Sequence, residues 1–138
     1  MSPGARRVRA ALLIVITTAL LGAPAFATGL VMRLDGAGAS IVSTMMLVVV
    51  TVHGILGLWL LWSVWRASAR PVRARYRWWV GSAAAIVACF ALAMLIGIEP
   101  SLSAMLDLAL GLLGAILTRR EIRSIDTFAP SPPSIASS

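Results

Sequence analysis

Residues Arg66–Trp79 read R-A-S-A-R-P-V-R-A-R-Y-R-W-W. Five arginines (Arg66, Arg70, Arg73, Arg75 and Arg77) stand here with no acid among them, and a long apolar run lies on either side. Pro71 interrupts any helix arriving from Trp65, because proline lacks the backbone N–H and clashes with the preceding turn. The stretch therefore predicts a short cationic loop between two membrane-spanning helices. Basic loops stay on the cytoplasmic side of a membrane, so this loop sets the orientation of the chain.

Composition points the same way. Of 138 residues, 59% are hydrophobic and 12% are charged, where a soluble domain carries about a quarter. Mean hydropathy is +0.93. A water-soluble fold of this size cannot bury that much apolar surface. The net charge is +7, and all twelve basic residues are arginine. Such basicity accompanies nucleic-acid binding in other chains. Here the charge gathers at the ends of apolar runs and no groove-reading or stacking module goes with it, so no nucleic-acid partner is expected. The single cysteine, Cys89, excludes an intrachain disulfide and a CxxC metal site.

Working outward, four apolar runs emerge: residues 10–32, 41–65, 78–98 and 102–118. The first has 23 residues, enough to cross a hydrocarbon core of about 30 Å. Its start also fits a secretory leader, with Arg6–Arg9 as a basic head and Ala25-Phe26-Ala27 as a small-residue cleavage site. Three spans would then remain. The uncleaved reading is preferred because apolar character resumes through Leu30, Val31 and Met32, with Pro24 kinking the helix. Ser40 is a candidate N-cap for the second run. Pro100 suits the first turn of the fourth. Residues 127–138 (T-F-A-P-S-P-P-S-I-A-S-S) form a Pro/Ser-rich tail expected to be disordered and cytoplasmic.

With both ends inside, eleven of the twelve arginines fall on one side. All six Trp and Tyr residues bracket the central loop, which predicts an aromatic belt at that headgroup level. The fold expected is an all-α, polytopic four-helix bundle in the plasma or inner membrane, both termini cytoplasmic.

Few residues carry chemistry. Asp107 lies in the fourth run, about 9 Å below its outer end. Carboxylates inside a membrane face the bundle interior and usually have a partner. Ser103, Asp107, Gly111, Gly114 and Thr118 share one small, polar stripe. Asp107 is a candidate ion- or proton-coupling residue, and Arg33, at the same level, its candidate ion-pair partner. His53 is the only histidine. It shares a stripe with Met46, Val50, Gly57 and Leu60. A b-type haem could use it, with Gly57 making room for the porphyrin, although haem of this kind wants a second axial ligand. The blander expectation is a hydrogen bond across the bundle, to Asp107 or a threonine. If His53 meets Asp107, the two form a protonatable pair, which makes His53, with Asp107 and Arg33, a candidate ion- or proton-coupling residue. Thr18, Gly22, Ala25 and Gly29, and likewise Ser82, Ala85, Cys89 and Ala93, read as packing faces. Arg66, Arg70, Arg73, Arg75 and Arg77 are candidates for anionic lipid headgroups or an acidic partner.

No nucleophile elbow, metalloprotease, P-loop or dinucleotide motif occurs. The expectation is a non-catalytic accessory or scaffold subunit of a membrane assembly, itself oligomeric or joined to other membrane subunits. A small transporter or channel using Asp107 is the alternative, and a haem carrier using His53 the second.

Overall fold

The computed structural model describes residues 1–36, 41–67 and 71–127. It contains four helices: α1 (Pro3–Leu34), α2 (Ile41–Arg66), α3 (Pro71–Leu95) and α4 (Leu102–Thr127). Each is long and apolar enough to cross a membrane. Only 28% to 33% of each apolar window is buried inside the bundle. Most of the apolar surface faces outward, where hydrocarbon, not water, can take it. The chain is thus a small all-α integral membrane protein.

The helix ends follow from local chemistry. Ser2 caps α1 by accepting the Ala5 N–H at 3.3 Å, and Pro3 occupies the first turn, where its missing N–H costs nothing. The helix runs on through Pro24. α3 closes in a Schellman turn: Ile98 N–H bonds Ala93 O, Gly97 N–H bonds Met94 O, and Gly97 takes the required positive φ of 97°. α4 starts from Ser101, which accepts the Ala104 N–H on its Oγ.

Three boundaries differ from the sequence reading. Arg73, Arg75 and Arg77 stand on the first turns of α3, and Arg66 ends α2, so the cationic segment is mostly helix. Arginine is a good helix former, and nothing in the headgroup region obliges a helix to stop. Pro100 lies before α4, and Ser101 performs the capping. α4 continues past residue 118 to Thr127, carrying Arg119, Arg120 and Arg123 out of the apolar zone on helix. Ser40, Arg70 and residues 128–138 lie outside the described residues.

The helices alternate in direction. α1 lies along both α2 and α4, α2 lies along α3, and α3 and α4 meet at few points. A chain without α1 would leave α4 with little beyond those few contacts. α1 buries one continuous stripe: Ala10, Ile14, Thr17, Leu21, Ala25, Gly29 and Met32. Glycines on its neighbours let it approach. A methyl group on Gly111 would sit 2.6 Å from Leu21 Cγ, and one on Gly57 2.8 Å from Thr18 Oγ1. One on Gly114 would collide with Thr17 Oγ1. Gly111 and Gly114 thus belong to the small-residue stripe anticipated on the fourth run, while Ser103 is exposed.

The alternation brings the basic segments to one end. Arg9 pairs with Glu121 at 3.3 Å and Arg73 with Asp126 at 2.8 Å. Arg7 donates to Ala67 O at 3.5 Å, joining the start of α1 to the end of α2.

Gly114→Val should destabilise the bundle by roughly 1–3 kcal/mol through overpacking against Thr17. Gly81→Ala, where a methyl meets nothing within 4 Å, should leave it unchanged or slightly stabilised. Thermal unfolding in mild detergent compares the two.

Candidate functional site

The largest fully buried side chain is Trp79, at 0% exposure. It stands on the face of α3 that also carries Val72, Ala83, Ile86 and Phe90. Its indole Nε1 donates to Thr18 Oγ1 on α1 at 3.3 Å. Its ring stacks on the His53 imidazole of α2, centroids 5.4 Å apart and planes 15° from parallel. Tyr76 flanks it at 6.0 Å and donates its hydroxyl to Ala115 O on α4 at 3.0 Å. One aromatic cluster thus touches all four helices.

His53 is held by a short chain of hydrogen bonds. Its Nδ1 lies 2.7 Å from Ser82 Oγ, and Ser82 Oγ in turn donates to Trp79 O at 2.7 Å. A hydroxyl has one proton to give. Ser82 spends it on the carbonyl, so the proton in the other bond belongs to Nδ1. Nδ1 therefore donates to Ser82 Oγ, and the ring nitrogen left over is Nε2. That Nε2 is buried with no hydrogen-bond partner among the described residues, as are Thr17 Oγ1 and Ser43 Oγ. The expected hydrogen bond across the bundle exists, but it runs to Ser82 and not to Asp107 or a threonine.

A haem does not fit His53 as the helices pack. The space beside Gly57, expected to admit a porphyrin edge, is filled by Thr18 Oγ1 and by Trp79 Nε1, the latter 3.4 Å from an added methyl. Trp79 also covers one face of the ring. The glycine admits a neighbouring helix instead.

Asp107 is half-buried, and it shares the α1-facing side of α4 with Gly111, four residues on. Arg33 donates to Thr44 Oγ1 at 3.5 Å. The expected Arg33–Asp107 ion pair does not form: the two ion pairs among the described residues are Arg9–Glu121 and Arg73–Asp126. Neither ion pair nor hydrogen bond to Asp107 occurs among the described residues. Above it, at the end of the bundle opposite the cationic one, is a cavity of about 330 Å³. Asp35, Glu99, Thr28 and Ala104 help to line it. Ala104 is one turn from Asp107 along α4.

At the cationic end the belt is built from Trp59, Trp62, Trp65 and Trp78, all between 47% and 70% exposed. Arg66 lies over Trp62 at 4.4 Å and Arg75 over Trp59 at 4.1 Å. Arg75 also donates to Ser63 Oγ. Trp79, counted with the belt on sequence, is core. Its place could have been read from the stripe Val72, Trp79, Ala83, Ile86 and Phe90, which recurs at helical spacing one step away from the small-residue face. Among the described residues no cluster of three or more His, Cys, Asp or Glu side chains is arranged to hold a metal.

No protein-family model matches the chain, and neither does any curated protein or solved structure.

Trp79→Phe removes the bond to Thr18 and part of the stack on His53. It should destabilise the bundle by about 1–2 kcal/mol, whereas Trp78→Phe, on the outer surface, should change little. Unfolding in detergent followed by circular dichroism reads the difference.

Proposed function

We propose that this integral membrane protein is a non-catalytic accessory or scaffold subunit of a larger membrane assembly, both ends cytoplasmic. The observation that carries the reading is Asp107. A carboxylate in a span costs about 2.5–3.5 kcal/mol at a helix centre and somewhat less off-centre. This one is half-buried and has no partner among the described residues. Being only half-buried, it stands at the edge of the α1-facing side of α4, where a polar or basic group from a second subunit would relieve that cost. The outward-facing residues beside it on α4, Leu106 and Leu110, are apolar and exposed, so a neighbouring helix can pack there without stranding polar groups.

A second reading, transport of protons or cations, is favoured by the cavity. Its acidic rim of Asp35 and Glu99 and its floor at Ala104 lead toward Asp107, the coupling residue in that reading.

Affinity purification from native membranes in mild detergent separates the two. The subunit reading predicts a stoichiometric membrane partner, or a second copy, that is retained by the native chain and lost with Asp107→Leu. A strictly monomeric particle at every expression level contradicts it. In proteoliposomes, the transport reading predicts a cation- or proton-dependent flux that Asp107→Asn abolishes; a flux indifferent to Asp107→Asn eliminates that reading.

A further inference from the structure

The seam between α3 and α4 is the least closed in the bundle. The two helices touch where Tyr76 reaches Ala115 and where Arg73 reaches Asp126, both toward the cationic end. Ala115 marks the edge of α4 that faces α3. Arg119 and Arg123 follow it by four and eight residues, on the same edge. Both are exposed, and Arg119 stands one turn beyond Ala115, whose carbonyl Tyr76 reaches. Toward the bundle centre the walls turn apolar, with half-buried Val80 on α3 and Leu108 and exposed Leu112 on α4. The seam is therefore a groove with a doubly basic mouth and an oily interior.

The charge at this end lacks internal compensation. The sequence places eleven arginines there and two acids, Glu121 and Asp126, already engaged by Arg9 and Arg73. Neither Arg119 nor Arg123 has an ion pair among the described residues.

We infer that the α3–α4 groove binds an anionic diacyl phospholipid, its phosphate held by Arg119 and Arg123 beside Tyr76 and its acyl chains lying along Val80 and Leu112. The groove runs with the helices and opens at the level where arginines and tryptophans meet the headgroups, so a lipid of the same leaflet enters it without leaving the bilayer. This inference goes beyond the assembly reading, since Asp107 faces α1 and takes no part in it.

The test uses the full chain in detergent, mixed with phosphatidylglycerol and phosphatidylcholine, with retained lipid counted by native mass spectrometry. The expected result is selective retention of phosphatidylglycerol. Arg119→Gln and Arg123→Gln should each weaken it about fivefold, the contribution of one basic residue near a membrane surface. Arg6→Gln removes the same charge at the same end of the bundle, from the first turns of α1, and should leave retention unchanged. Glycerol 3-phosphate, a headgroup without chains, should not compete. An equal loss from Arg6→Gln would mean diffuse attraction and would overturn the site. Competition by glycerol 3-phosphate, equal retention of phosphatidylcholine, or a dimer that persists and excludes lipid would overturn it as well.

Discussion

In a bilayer the hydrophobic effect does not press one apolar helix against another, because lipid tails are as apolar as leucine. What holds this bundle is the close approach of α1 to two neighbours. Gly57 of α2 and Gly111 and Gly114 of α4 leave no side chain between the helices, and Thr18, Leu21 and Thr17 of α1 fill those gaps. Every added methyl there meets an occupied position. Dispersion contacts at such short range are individually small but numerous, and they explain why α1 forms the axis of the fold.

Trp79 ties α3 to α1 and α2. Its indole occupies the space beside Gly57 and reaches Thr18 on α1 and His53 on α2. The polar atoms around it are linked in an open chain, from Trp79 O through Ser82 Oγ to His53 Nδ1, that leaves His53 Nε2 without a partner among the described residues. In a medium without water, each such bond is retained because the alternative is an unsatisfied group. α3 leans on α2 in this way and meets α4 at few points.

Much of this was legible in the sequence, and the physics explains which parts. The number of spans and the gathering of basic segments at one end follow from run lengths and from where arginine can sit, neither of which depends on packing. The small stripe at Gly111 and Gly114 was also readable, since helical period alone defines a face. Helix ends were not: Arg73, Arg75 and Arg77 continue a helix that hydropathy alone would begin later. Shared depth placed Arg33 beside Asp107, but depth says nothing about direction around the helix, and Arg33 turns to Thr44 on α2. Trp79 was assigned to the belt because tryptophan prefers the interface. Being one step from Trp78 puts it about 100° round the helix, facing inward.

The central claim is that four crossings put residues 1–9, 66–77 and 119–127 on one side of the membrane and the two remaining turns on the other. Single-cysteine labelling with a membrane-impermeant reagent, in a chain with Cys89→Ala, measures this directly. Ser2→Cys, Ala67→Cys and Thr127→Cys should all react from one side only. Asp35→Cys and Glu99→Cys should react only from the other. If any of the first three labels together with Asp35→Cys or Glu99→Cys, the four-span arrangement is contradicted.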